Sequence, residues 1–122
     1  MANYVDNERF RQLLIQYKKH KKMSDYNSIG EIFLLIATNL LNRPNFVGYT
    51  DDRKEDMISD AVYFMCKYID RFKVKRKYPF SYFTQIAKNA FLQYVNERKR
   101  YDATFKSIEY IDNAEEKDIN NL

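Results

Sequence analysis

The chain has 122 residues and a mass of 14.8 kDa, which is the size of one domain. Apolar residues make up 45% of it and charged residues 31%, as in a globular protein rather than a disordered one. Two glycines and two prolines are too few for the turns of a β-sandwich or barrel. A single cysteine excludes an internal disulfide framework. A single histidine weakens the case for a His-based metal site or catalytic triad.

Positive charge is concentrated in residues 1–100, which hold 19 basic and 11 acidic residues, a net of +8. Residues 101–122 hold 2 basic and 6 acidic residues, a net of −4. This asymmetry predicts a basic domain over 1–100 and an acidic tail over 101–122, and it favours a polyanionic partner. Ordinary solvated basic surface is the alternative.

The sequence has no feature that predicts a membrane or export. It contains no apolar run of about 18 residues, the length that a membrane span needs. It begins Met-Ala-Asn-Tyr-Val-Asp, without the charged and apolar regions of a signal peptide. We therefore expect no membrane partner and a cytoplasmic location.

Apolar residues recur at the helical period throughout the chain, which predicts an all-α fold. The pattern weakens after residue 100, where the acidic tail has room for one short helix. We expect a compact bundle of about four helices near residues 7–21, 28–42, 51–72 and 79–100.

Polar residues mark where the predicted helices begin. Asp6 or Asn7 can cap the first helix. Ser28 stands three residues before Glu31, the spacing of a capping box, and the second helix should begin there. Thr50, Asp51 and Asp52 can each cap the third helix, and Asp52 with Glu55 again has the spacing of a capping box.

A basic and aromatic segment is the strongest local signal in the sequence. Five of the seven residues from 71 to 77 are basic, and aromatic residues follow at once. Basic side chains neutralise phosphates, and aromatic faces stack on unpaired bases. The predicted nucleic-acid contacts are Arg71, Lys73, Lys75, Arg76, Lys77, Tyr78, Phe80, Tyr82 and Phe83. The alternative is that the charges are merely solvated and that the aromatics, Phe80 and Phe83 above all, belong to the core.

The helix after Pro79 has a second face that carries amides and no carboxylate. Its residues, at spacings of three or four, are Tyr82, Gln85, Asn89, Gln93, Asn96 and Arg100. Amides can pair with base edges or phosphates without repelling DNA. This face is therefore a candidate for DNA contact, with ordinary polar surface as the alternative.

Three carboxylates share one stripe of the third helix, at i, i+4 and i+8: Asp52, Asp56 and Asp60. They fit exposed helix acids with capping roles, or a contact with an arginine-bearing protein partner. A third interpretation is a small nuclease that holds a metal on Asp51, Asp52, Glu55 and Asp56.

No constellation of residues supports an enzyme. The sequence has no Gly-rich phosphate loop, no nucleophile elbow and no metal-ligand spacing. His20 lies in a lysine-rich helix end and is expected to be solvated, while Cys66 is expected to be a small core residue. We predict no catalytic residue, no cofactor and no metal.

Three segments in order resemble region 2 of bacterial sigma factors: Asp56-Met-Ile-Ser-Asp60, Lys67-Tyr-Ile-Asp-Arg-Phe72 and Tyr78-Pro-Phe-Ser-Tyr-Phe-Thr-Gln-Ile-Ala-Lys-Asn89. The sequence is also similar to the short late sigma factors of T-even-like bacteriophages. That likeness is carried by Asn45-Phe-x-Gly-Tyr-Thr50, Lys54-Glu-Asp-Met-Ile58, Thr84-Gln85, Asn89-Ala-Phe91 and Glu97-Arg-Lys99. The resemblance covers residues 28–100.

The resemblance implies a sigma factor that binds core RNA polymerase and melts a −10-type promoter element. It implies that Asp52, Asp56 and Asp60 dock on the arginine-rich clamp helices of the largest polymerase subunit. It also implies that the aromatics from Tyr78 to Phe83 hold the opened strand, with either Tyr82 or Phe83 capturing the flipped base. The residues implied to face promoter bases are Gln85, Lys88 and Asn89.

The sequence departs from the family at several points. The tryptophan pair of housekeeping sigma factors is absent, and no region 4 follows residue 100, so recognition of a −35 element is not expected. A phage co-activator or a sliding clamp is a further implied partner, although residues 117–122 lack the hydrophobic clamp-binding motif. A regulatory module that binds polymerase or another sigma factor without melting DNA is the alternative function.

Overall fold

The computed structural model describes the backbone of residues 5–46 and 48–120, and the side chains of 5–44, 46 and 48–106. Four α-helices follow one another: α1 (Asn7–His20), α2 (Met23–Leu41), α3 (Asp51–Lys67) and α4 (Pro79–Asn120). Two short 3-10 helices lie at Pro44–Phe46 and Ile69–Arg71. The described residues contain no strand, and the predicted all-α bundle of about four helices is confirmed.

The chain divides into two units, one that ends at Phe91 and one that begins at Leu92. The first unit holds α1, α2, α3 and the beginning of α4. The predicted division into residues 1–100 and 101–122 stays a prediction. Among the described helices, none has the length and apolar character that crossing a membrane requires.

Helix α1 begins where the sequence predicts. The Asp6 carboxylate accepts hydrogen bonds from the backbone N–H groups of Glu8 and Arg9, at 3.0 and 3.5 Å. At the other end Lys21 adopts the left-handed conformation, with φ of 53°, and its N–H donates to the Tyr17 carbonyl. His20 is exposed in the last turn, as predicted.

Helix α2 begins at Met23, and the predicted start at a Ser28–Glu31 capping box is wrong. The Ser28 hydroxyl lies inside the helix and donates to the Ser24 carbonyl at 3.1 Å. The Tyr26 ring packs against Tyr17 of α1, with ring centroids 5.4 Å apart. This contact stabilises the helical conformation of the polar residues 23–27, although these residues have no apolar repeat of their own.

Helix α3 begins at Asp51, as predicted, and is capped by Thr50, one of the predicted cap residues, whose hydroxyl accepts from the Arg53 N–H at 3.4 Å. Asp52 lies inside the first turn, so the predicted Asp52–Glu55 capping box is wrong. The helix ends at Lys67, and the chain continues as the second 3-10 helix rather than as α-helix to residue 72. A 3-10 turn repeats every three residues, so Ile69 and Phe72 still meet the core.

Helix α4 continues to Asn120 instead of ending near residue 100. Arg98 and Asp102 form an i,i+4 ion pair at 3.7 Å, and the rings of Tyr101 and Phe105 are stacked with centroids 6.3 Å apart. Neither glycine nor proline interrupts the sequence after Pro79. The predicted short separate helix in the tail is therefore replaced by one continuous helix.

An aromatic cluster forms the centre of the first unit. The Phe83 ring of α4 lies 5.5 Å from Phe10, 4.8 Å from Phe33 and 5.6 Å from Phe72, measured between ring centroids. Tilted aromatic pairs at this range add to the gain from burying their area. Around them lie Leu14, Ile29, Ile36, Ala37, Met57, Ala61, Met65, Ile69, Ala87 and Phe91, all buried.

Candidate nucleic-acid interface

The basic segment 71–77 runs from the end of the second 3-10 helix through a turn, in which the Arg76 N–H donates to the Lys73 carbonyl oxygen at 2.9 Å, and its backbone is held by side chains of α1. The Arg11 Nε donates to the Val74 carbonyl oxygen at 2.8 Å. The Lys18 Nζ donates to the Phe72 carbonyl oxygen and, at 3.3 Å, to that of Asp70. Two cations of α1 therefore bind backbone carbonyls in the connection between α3 and α4.

Residues on either side of this segment are also tied to α1. The Lys21 Nζ lies 3.2 Å from the Asp70 Oδ1 in an exposed ion pair. The Asn7 Oδ1 accepts from the Phe80 N–H at 3.0 Å, which satisfies one of the first N–H groups of α4. Helix α1 thus lies antiparallel to residues 70–80, from Asn7 beside Phe80 to Lys21 beside Asp70.

The cations of this segment face solvent. All five predicted phosphate contacts are exposed, namely Arg71, Lys73, Lys75, Arg76 and Lys77. Within the described part of the chain, no ion pair joins any of them to a carboxylate. Two of them lie over aromatic rings, Arg71 at 4.9 Å from the Tyr68 centroid and Arg76 at 5.6 Å from that of Tyr82. Their charges are available to an anion.

An open pocket of about 550 Å³ lies where the basic segment meets α4. Its lining brings together cations, two tyrosine rings and one amide: Arg76, Lys77, Tyr78, Ser81, Tyr82, Gln85 and Ile86. Tyr78 is 66% exposed and presents a ring face to solvent. Tyr82 is half-buried, and its ring packs against Phe72 and Phe83. One wall of the pocket is therefore the exposed ring of Tyr78, and another is the ring of Tyr82, which is held in place by its packing against the core.

Phe83 does not belong to this interface, and its predicted contact with DNA is wrong. It is completely buried at the centre of the aromatic cluster, so it has no face to offer a base. The alternative interpretation of Phe83 as core is the right one. Phe80 is half-buried, and its backbone N–H is engaged by Asn7.

The predicted base-facing residues follow the pocket along α4. Gln85, Lys88 and Asn89 are all exposed on the helix surface. The Gln85 Nε2 donates to the Asn89 Oδ1 at 2.9 Å, which leaves the Gln85 carbonyl and the Asn89 amino group facing outward. This pair can both donate to and accept from a base edge.

The acidic stripe, defined as Asp52, Asp56 and Asp60, lies on the exposed side of α3. Tyr63 shares this side and is 63% exposed, with its ring against Phe64. Sequence analysis missed Tyr63, although its spacing of three and seven residues from the last two aspartates was visible. An exposed tyrosine among carboxylates suits a partner surface that carries guanidinium groups.

The acids at the start of α3 have a local role beside the helix N-terminus. Asp51 and Asp52 lie in the first turn, where negative charge is stabilised by the helix dipole. Among the residues that the structure describes, no three His, Cys, Asp or Glu side chains come together as a cation site.

The pKa of Tyr26 is strongly shifted from its ordinary value. Hydrogen bonding with the Cys66 side chain, with smaller contributions from charge and burial, raises the pKa of Tyr26 to about 12. Cys66 is half-buried on α3, so this contact joins α2 to α3. It lies outside the interface and acts in packing.

The sequence found the chemistry of the interface but missed the residues that hold it in place. Asn7, Arg11, Lys18 and Lys21 contact residues 49 to 73 positions away, and no local pattern predicts such contacts.

Neither a scan of protein-family models nor a search of curated proteins found a match to the chain.

Proposed function

We propose that the chain is an RNA polymerase sigma factor of the phage late type, which binds core polymerase and directs the melting of a −10-type promoter element. One observation carries the proposal. The pocket beside the basic segment combines exposed cations, exposed and anchored tyrosine faces and an adjoining amide pair in the part of the chain that resembles sigma region 2.

Strand capture would use the two walls of this pocket. The cations of the basic segment hold phosphates on either side of the captured nucleotide. The unpaired base enters the pocket and stacks on Tyr78 or Tyr82, which returns about 1–3 kcal/mol per base. Extruding a base costs a few kcal/mol, so stacking and phosphate contacts together offset melting. Gln85 and Asn89 then read an adjacent base edge.

Docking on polymerase would use the acidic stripe. Its carboxylates face solvent on α3, and the arginine-rich clamp helices implied by the resemblance complement them in charge. Tyr63 adds an apolar face on which a guanidinium can stack. Such a factor works in the cytoplasm of a bacterial host, with polymerase and promoter DNA as its partners.

The test is permanganate footprinting of promoter thymines with core polymerase on a T-even-like late promoter. We expect Tyr82→Ala to lose opening on the duplex and to recover it on a pre-melted bubble, while Tyr82→Phe keeps the stacking face and opens both. Tyr78→Ala should show a smaller loss in the same direction. Tyr101→Ala, which removes another exposed aromatic ring, is the control and should match wild type.

Two results would reject this function. If wild type opens neither template and blocks transcription by the host factor, the chain is a polymerase-binding regulator. If Tyr82→Ala and Tyr78→Ala both open the duplex as wild type does, the pocket is not the site of strand capture.

A further inference from the structure

The C-terminal end of α1 carries a cationic cluster, of which the contacts with residues 70–72 explain only Lys18 and Lys21. Residues 18–22 contain four lysines and one histidine and no acid. Positive charge near a helix C-terminus stabilises the helix dipole, and that accounts for Lys18 and Lys19. It does not account for Lys21, which lies past the last turn, or for Lys22, which is the residue immediately before α2, at its N-cap position.

Lys21 occupies a backbone position that favours glycine. Its φ of 53° places it in the left-handed region, where a side chain with a Cβ is disfavoured. The side chain of Lys21 makes two contacts at this position. Its Nζ pairs with Asp70 at 3.2 Å and lies 4.8 Å from the Tyr17 ring centroid. The end of α1 is thereby held against the beginning of the basic segment.

These contacts make the two basic regions one surface. Lys18 touches the carbonyls of Asp70 and Phe72, and Lys21 pairs with Asp70, so both regions lie within one side-chain length of each other. Residues 18–22 and 70–77 together hold nine lysines and arginines against one acid. That acid, Asp70, is already paired with Lys21.

The exposed members of the cluster extend the surface beyond the basic segment. Lys19 and Lys22 are exposed, whereas Lys18 is half-buried by its contacts with the segment. At a rise of about 1.5 Å per residue, Lys18 lies about 10 Å along α1 from Arg11, which marks the middle of the segment. A surface that continues over such a distance spans several phosphates of one DNA strand.

We propose that Lys19 and Lys22 are phosphate contacts, and that promoter DNA follows a continuous cationic track from the pocket, along residues 71–77, to the C-terminal end of α1. This inference rests on the proposed function because it names DNA as the polyanion. It adds a second anchoring point for the duplex, about one helix length from the pocket.

The test is the salt dependence of binding by the intact chain, measured by fluorescence anisotropy with a labelled DNA duplex. Three variants each remove two positive charges: Lys19→Gln with Lys22→Gln, Lys75→Gln with Lys77→Gln, and the control Lys54→Gln with Lys106→Gln. Each lost phosphate contact should flatten the slope of log K against log salt by about 0.9. We expect the first two variants to flatten it by about 1.8 and the control to leave it at the wild-type value.

The outcomes separate this inference from the proposed function. If the 75/77 variant flattens the slope and the 19/22 variant does not, DNA leaves the protein before α1 and the inference is wrong, with the proposed function intact. Equal flattening by the control would attribute the effect to net charge and would also overturn the inference. If the 75/77 variant leaves the slope at the wild-type value, the DNA surface of the proposed function itself is wrong. Circular dichroism of the variants, all at non-buried positions, verifies that each is folded.

Discussion

Replacing Phe83 with alanine tests the assignment of this residue to the core rather than to the DNA interface. Its ring is fully buried and contacts three other phenylalanine rings at centroid distances of 4.8 to 5.6 Å. Phe→Ala at a buried site costs about 3–5 kcal/mol through lost transfer free energy and the cavity left behind. Because small domains have about 5–15 kcal/mol in total, we expect the variant to lose between about a fifth and all of its stability.

The measurement is equilibrium unfolding in urea, followed by circular dichroism and extrapolated linearly to water. Tyr78→Ala is the control, since a 66% exposed ring outside the core should change the free energy of unfolding by no more than about 0.5 kcal/mol. Phe83→Leu supplies a folded variant, because leucine keeps most of the buried volume and loses only the aromatic pairing.

Promoter opening by the Phe83→Leu variant tests whether Phe83 has a role in strand capture. We expect this variant to open the promoter as wild type does at a temperature where it is fully folded. If Phe83→Ala costs less than about 1 kcal/mol, the packing argument is refuted. If Phe83→Leu is stable but opens only the pre-melted bubble, Phe83 is the capture residue.

Three further predictions concern other parts of the chain. Asp56→Lys with Asp60→Lys should abolish the pull-down of core polymerase by adding repulsion, with helix content by circular dichroism unchanged; undiminished binding would move the docking surface elsewhere. Arg11→Ala should speed trypsin cleavage within the basic segment, as read by mass spectrometry, because the 2.8 Å bond that fixes its backbone is lost; an unchanged cleavage rate would show that the bond is dispensable. Cys66→Ala should lower the pKa of Tyr26 from about 12 toward 10.0, seen in the alkaline titration of its ring signals by NMR. Between pH 10 and 12, wild-type Tyr26 keeps its proton in the folded state, whereas the unfolded chain releases it. The free energy of unfolding of the wild type therefore falls as pH rises over this window, and that of the variant should fall less.

The presence of each α-helix could be predicted from the periodicity of apolar residues, whereas the first or last residue of several helices could not. Asp6 acts through a bond to its own neighbours, so the start of α1 was visible in the sequence. The start of α2 depends on a contact between Tyr26 and Tyr17, which belongs to tertiary structure and overrides a good local capping signal. The continuation of α4 to Asn120 reflects the absence of any helix breaker, a signal that the fading apolar pattern obscured.

The chemistry of the candidate site was likewise visible, and its geometry was not. Charge and aromatic content identify the segment around Arg76 because phosphate and base contacts depend on residue type. Whether an aromatic is exposed depends on the other helices. Tyr82 and Phe83 are adjacent in sequence, yet one lines the pocket and the other fills the core. The 100° that separates consecutive residues on a helix is enough to divide these roles.

Helix α1 couples the formation of the core to the shape of the interface. Phe10 and Leu14 bury one side of the helix, while Asn7, Arg11 and Lys18 hold the basic segment from the adjacent side. Because the two sides are parts of one rigid element, packing the apolar side fixes the rotation of α1 and therefore the position of every polar tie. The basic segment has few apolar side chains of its own, and its conformation is imposed by a helix that precedes it by about sixty residues. A peptide with the sequence of the basic segment would keep the charges and lose the arrangement, because the groups that hold its carbonyls belong to α1.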